Sequence, residues 1–184
     1  MVAGLTPQRQ QSENDCGAAA LSIMLGRWGI AAHPADILSA LPGNPGEGIP
    51  AGDLRDFARA RGLGAFVIRG EVRDLENELA LQHPVLVGLI LRQGDRGLPH
   101  YEVVAGINPG ARRLFMLDPA RGPREDGYDG FLAEWEQSGR VTLVVTGPNP
   151  TPTSGKSESW RPDVERTARR QPLTSQRSVG GRAN

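Results

Sequence analysis

The sequence is sparing with cysteine: Cys16 is the only thiol in 184 residues. A lone cysteine forms no internal disulfide, which excludes a disulfide-stapled scaffold and fits a reducing compartment. Net charge is lacking as well, with 21 basic and 21 acidic residues. That balance gives no electrostatic reason to expect nucleic acid or an anionic membrane surface as partner. No apolar run approaches the roughly 18–20 residues of a membrane span. The opening "MVAGLTPQRQQSEND" has no apolar h-region, so no signal peptide is expected. There are no internal repeats. What remains, 38% hydrophobic and 23% charged residues, is the composition of a soluble protein with one proper core. A cytoplasmic location is the expectation.

Composition shifts after Val145. From residue 147 to the end, Pro, Ser, Thr, Gly and Arg dominate and apolar periodicity disappears. This stretch holds seven basic residues and three acidic ones, a net +4, so residues 1–146 carry −4. Such a segment buries too little apolar surface to offset its ordering entropy. The reading is a folded domain over 1–146 and a disordered tail over 147–184, with a short helix expected around 164–170. The tail contains Gly180-Gly181, for which composition alone is a sufficient account.

Within the first part the pattern predicts helix over 16–28, stopped by Gly29 in the left-handed position. Further helices are expected over 35–41, in "AGDLRDFARARG" and in "DLENELALQ", with a strand at "GAFVIRG". The chain then becomes β-rich. "PVLVGLIL" is a nearly continuous apolar run, as in a buried central strand. "HYEVVAGI" and "RLFMLD" follow, joined by the turn "NPGA". A short helix over 131–138 and the strand "VTLVVT" close the domain. The fold class is α+β: N-terminal helices packed on a C-terminal antiparallel sheet.

Cys16 stands at the start of the first helix, with Asp15 as N-cap candidate. There the helix dipole and free backbone N–H groups favour a thiolate. Free cysteine is also among the most buried residue types, so burial alone is the competing account. A cysteine nucleophile needs a base. His33 and His83 each precede proline at element boundaries, where surface roles suffice. His100 is expected to open the strand "HYEVVAGI" at the rim of the sheet. Asp118 ends the next strand before "PA", and the hairpin reversal brings it beside His100. A carboxylate there accepts the imidazole N–H, fixes the tautomer and stabilises the imidazolium. Asp118 also suits a turn-initiating role before proline. Gln10 and Gln11 precede the cysteine by six and five residues, and a side-chain amide there is a candidate oxyanion donor.

Taken in order, Q-x5-C-G, H-Y-x-V-V-x-G and D-P-A resemble the C39 peptidases, papain-like cysteine peptidases that remove double-glycine leaders from bacteriocins and related exported peptides. The resemblance runs from Gln10 to Thr146 through "QQSENDCGAAAL", "GDLRDFARARGLGA", "HPVLVGLI", "HYEVVAGI" and "LDPARG". It implies a papain-like fold, Cys16 as nucleophile, His100 as base, Asp118 as its orienter and Gln10, six before the cysteine, as oxyanion donor. It calls for no cofactor and no metal. Many C39 domains open an ABC exporter, and neither membrane helices nor a G-x-x-x-x-G-K-[ST] loop occur here. The resemblance therefore implies a stand-alone domain acting on a Gly-Gly leader peptide, possible partner of a separate ABC exporter. Two other readings remain: a catalytically silent peptide-docking module of a secretion system, and a papain-like amidase of other specificity.

Overall fold

The computed structural model describes residues 1–12, 14–41, 43, 48–93 and 96–148. The expected tail, from 149 onward, and Gly180-Gly181 lie outside the described residues.

Helix α1 (Cys16–Arg27) is made of small and apolar residues, and Cys16 through Leu25 are all buried. A helix apolar around its whole circumference belongs inside a core. It ends as the sequence predicts. Gly29 takes φ +72°, its N–H bonds the Gly26 carbonyl at 3.1 Å, and the Ile30 N–H bonds Leu25 at 3.1 Å. These two bonds satisfy carbonyls that the helix end would orphan. Helix α2 (Pro34–Ala40) begins with proline, whose missing N–H costs nothing in the first turn. Helix α3 (Ala51–Arg59) leads into β1 (Leu63–Arg69). Helix α4 (Val72–Ala80) is capped by Asp74, which accepts the Glu71 N–H at 2.8 Å. Then come β2 (Val85–Gln93), β3 (Arg96–Asn108), β4 (Arg113–Asp118), β5 (Gly122–Gly127), α5 (Tyr128–Gln137) and β6 (Val141–Pro148).

The six strands form one sheet in the order β1-β6-β2-β3-β4-β5, with every neighbouring pair antiparallel. Side chains alternate across it, as the pleat requires. Leu86, Val103 and Leu143 face one way, onto Leu21, Met24 and Leu54 of α1 and α3. Val85, Val87 and Val104 face the other way, onto Leu75 of α4 and Phe131 and Trp135 of α5. The α+β class holds, and the helices cover both faces of the sheet.

Two stretches differ from the sequence reading. Strand β3 starts at Arg96, not at His100, and forms a long hairpin with β2 in which Leu89 pairs with His100 and Ile90 with Pro99. Proline and glycine before His100 suggested a loop. This part of β3 pairs with β2 alone, since pairing to β4 is recorded from Val103 onward, and an edge stretch tolerates proline. Strand β5, "GPREDG", has no apolar residue beyond its proline and gives no strand signal. It pairs with β4 along its length at the end of the sheet, where charged outward groups suit an edge.

Candidate active site

Two consecutive residues of α1 meet two consecutive residues of β3. The Cys16 thiol lies close enough to the His100 imidazole to favour the protonated ring. Gly17 lies under the Tyr101 ring so closely that a Cβ at 17 would stand 3.2 Å from Tyr101 Cδ2. The thiol and the imidazole are both nearly out of solvent, at 4% and 6% exposure. Burial therefore does not argue against chemistry here, because the buried cysteine faces a base.

Asp118 completes the group. Val103 pairs with Leu117, which sets Asp118 level with Glu102 and diagonal to His100 on the same sheet face. The Nε2 of His100 lies 2.9 Å from Asp118 Oδ1. With that nitrogen engaged, Nδ1 is the one left for the thiol. Asp118 is further held by the Ala120 N–H at 2.7 Å and the Arg121 Nε at 2.7 Å. The first of these bonds is the turn-initiating contact before proline, and it coexists with the contact to His100.

Burial by itself would lower the imidazole pKa. The hydrogen bond that the ring donates to Asp118, then the nearby Cys16 sulfur and the charges of both groups, outweigh it and push His100 up to about 9. For Asp118 burial would raise the pKa. The bonds from His100, Ala120 and Arg121, with the His100 charge, instead hold the carboxyl well below the usual carboxylate range. The pair thus favours an imidazolium next to an ionised aspartate.

The approach to α1 is tied to this pair. The Gln10 N–H donates to the Pro119 carbonyl at 3.0 Å, joining the loop before the helix to the turn after Asp118. The Gln10 side chain is turned to its own loop: Nε2 donates to the Ser12 carbonyl at 3.0 Å, and Oε1 is buried without a protein partner. Gln10 is therefore tied by its backbone to the turn after Asp118, and no bond joins its amide to Cys16, His100 or Asp118 among the described contacts. Gln11 is exposed. Asp15 occupies the N-cap position, yet its carboxylate turns back to accept the Ser12 N–H (3.1 Å) and hydroxyl (2.6 Å) and caps no helix N–H. The first-turn amides of α1 are left without a side-chain cap beside the thiol, where they can meet a developing negative charge.

The other histidines have structural partners. His33 Nδ1 accepts the Ala35 N–H at the start of α2, and His83 pairs with Glu78 at 2.9 Å and meets Trp28 edge-on.

Sequence reasoning passed over three neighbours of the site. Tyr101 packs over Gly17 and is half-buried; the desolvation pushes its phenol up to about 12, with Cys16 adding to the shift. Glu102, fully buried, is bound through both oxygens by Arg124 at 2.8 and 3.2 Å. The available signal was a glutamate in the middle of "HYEVV", since an ionisable residue in an apolar strand needs a buried partner. His100, Glu102 and Asp118 lie near enough to one another to suggest a cation site. Arg121 and Arg124 already occupy the two carboxylates, so the donor set is an ion-pair network.

A helix-borne cysteine against a histidine and an aspartate on an antiparallel sheet defines the class of fold: papain-like. Residues 5–149 match the profile of the Peptidase C39 family, and the chain belongs to that family. Its curated relatives include the lactococcin-A transport/processing ATP-binding protein LcnC of Lactococcus lactis subsp. lactis, 29% identical over 150 residues. That alignment covers 82% of this chain and 20% of LcnC, so the chain spans about a fifth of the relative's length. Among solved structures, the peptidase domain of Streptococcus ComA, a bifunctional ABC transporter of a quorum-sensing pathway, matches with TM-score 0.65 and 22% identity, covering 78% of this chain and 99% of that one. A double-glycine motif protease from an AMS/PCAT transporter, solved with its leader peptide, matches with TM-score 0.64 and 19% identity over 80% of this chain and 94% of that one. A C39-like peptidase from Bacillus anthracis gives 0.66 and 16%, over 82% and 98%. The chain is a C39 peptidase domain homologous to leader-processing domains of bacteriocin transporters. Among the described residues no helix is long and apolar enough to cross a membrane.

Proposed function

We propose that this chain is a cysteine endopeptidase that cuts an exported, bacteriocin-like precursor after a Gly-Gly leader motif. The observation carrying the reading is the junction of Cys16, at the unblocked start of α1, with His100 and its buried Asp118 contact. In the reaction His100 takes the Cys16 proton and the thiolate attacks the scissile carbonyl carbon. The carbonyl π electrons move to oxygen, where first-turn amides of α1 and the second N–H of Gln10 stabilise the negative charge. Collapse breaks the C–N bond, and the imidazolium supplies the proton that the leaving amine needs. Water, losing a proton to His100, then hydrolyses the thioester and releases the leader's new carboxyl end. Asp118 holds the imidazole in one tautomer throughout.

The same reading puts the domain in the cytoplasm, on the side where a leader is still attached, working with an ABC exporter. The chain's likeness to a lactococcin transport/processing protein and to a transporter's double-glycine protease solved with its leader peptide supports it, and the unpaired thiol suits a reducing compartment. Cleavage of a peptide carrying a Gly-Gly leader, followed by mass spectrometry, tests it. Wild type is expected to give one cut after the second glycine, and Cys16→Ala none. Unchanged cleavage by Cys16→Ala, or none by wild type, overturns the reading.

A further inference from the structure

Behind the triad lies a second layer of charge that the mechanism above does not use. On one sheet face Glu102 of β3 stands level with Asp118 of β4, Arg124 of β5 lies diagonal to Asp118, and Arg124 reaches over β4 to bind both Glu102 oxygens. Its third nitrogen bonds Asp126 at 3.0 Å. The Arg124 Nε is 3.7 Å from Asp118 Oδ2, just outside a hydrogen bond, while Glu102 Oε1 is 3.9 Å from His100 Nε2. Asp118 therefore has two suitors, the imidazole and a guanidinium. A fork-to-fork pair with a carboxylate is strong and directional.

We propose, resting on the peptidase reading, that Glu102 and Arg124 are positioning residues: their two-bond pair keeps the guanidinium off Asp118 and a carboxylate beside His100, so that Asp118 serves the imidazole. Glu102 is wholly buried, and leaving such a charge unpaired is costly. The arrangement persists because each group answers another. The groups facing His100 are Cys16 from α1, Glu102 on its own strand, Asp118 and Arg121 from β4 and its turn, Arg124 and Asp126 from β5, and Glu134 from α5. Arg121 also binds Asp118, at 2.7 Å.

The two halves of the pair act on the imidazolium with opposite sign. Without Glu102, a negative charge beside His100 is lost and Arg124 is free to turn to Asp118, so the imidazolium loses its proton more readily. Without Arg124, the remaining carboxylates hold that proton harder. A purely structural role would loosen the site and move both variants the same way.

The test is the pH dependence of Cys16 alkylation by iodoacetamide, which needs no peptide substrate. The wild-type rate should show an inflection near pH 9, where the thiolate loses its imidazolium partner. Glu102→Gln should move it down by about one unit and Arg124→Gln up by a similar amount, the range expected for a charge at this distance. Arg124→Lys, which keeps the charge, should restore most of the wild-type value. No shift, or two shifts of one sign in folded variants, overturns the proposal. If Glu102→Gln does not fold, Arg124→Gln decides alone: a rise supports, and a fall or no change refutes. A wild type whose alkylation is negligible below about pH 7 and rises only as an ordinary thiol ionises refutes the peptidase reading itself, because an ion-paired thiolate reacts well below neutrality.

Discussion

His100 Nε2 and Asp118 Oδ1 are 2.9 Å apart on adjacent strands, with both side chains nearly out of solvent. The contact joins residues that the β3–β4 hairpin sets diagonally on one sheet face. It requires a carboxylate: an amide of the same shape has no negative charge and can offer its NH2 to the ring. Asp118→Asn is therefore expected to lower kcat/KM by about 100-fold or more while the fold persists. Steady-state cleavage beside far-ultraviolet circular dichroism checks it. A loss under tenfold in a folded variant would remove Asp118 from the triad.

The raised imidazole makes stability depend on pH with a definite sign. His100 titrates at about 9 in the folded chain, against 6.5 for an ordinary histidine. Its contribution is complete below about pH 6.5 and is lost as pH rises through 9. Asp118, held low, is ionised in both folded and unfolded chains across this window and adds no slope. Its own contribution is lost only in acid, as pH falls below the ordinary carboxylate range. Unfolding free energy should fall between pH 6.5 and 9 by up to about 3 kcal/mol, and much less in His100→Ala. Urea melts at pH 6.5, 7.5 and 9 test this; equal slopes in the two proteins would contradict it.

Much of this site is legible in the amino-acid order because it depends on local rules. A cysteine after a polar loop and before "GAAALSIML" marks a helix start. A histidine and an aspartate at the facing ends of two apolar runs joined by "NPGA" must approach, since a hairpin reverses direction. The second layer is not legible that way. Whether Arg124 can reach Glu102 depends on the register of β5, whose "GPREDG" carries no hydrophobic alternation. The early start of β3 is hidden for the same reason, because "RGLP" pairs through backbone bonds that its side chains do not announce. The turned-back carboxylate of Asp15 reflects a local competition in which Ser12 offers two donors at short range.

Gly17 is where packing and chemistry meet. A Cβ there would lie 3.2 Å from Tyr101 Cδ2, which must give by a few tenths of an ångström, and at an ordinary 3.5 Å from Leu54 Cδ1. In an open helix, Gly→Ala would gain up to about 1 kcal/mol. Here that gain is offset by the push against β3, so Gly17→Ala should change stability by less than about 1 kcal/mol. Gly17→Leu should cost roughly 1–3 kcal/mol through overpacking. Both should slow Cys16 alkylation, the leucine variant by at least about tenfold, because the strain separates Cys16 from His100. Unaltered alkylation in Gly17→Leu would show that the helix start and the strand are not coupled.

The oxyanion role proposed for Gln10 can be tested apart from activation of the thiol. One of its amide N–H groups is spent on the Ser12 carbonyl, which fixes the side chain, and the other remains for an acceptor. Its backbone bond to Pro119 survives substitution by alanine, so the loop should keep its place. An oxyanion donor acts only once charge has moved to the carbonyl oxygen. Gln10→Ala should then lower kcat by about 10²–10³ with little change in KM, the usual effect of deleting one such donor. The thiolate–imidazolium pair does not use the amide, so the pH profile of Cys16 alkylation should stay as in wild type. Single-turnover cleavage and alkylation on the same preparation read the two effects separately. If alkylation falls along with cleavage, Gln10 supports the loop that carries Cys16; if neither falls, the α1 amides stabilise the oxyanion unaided.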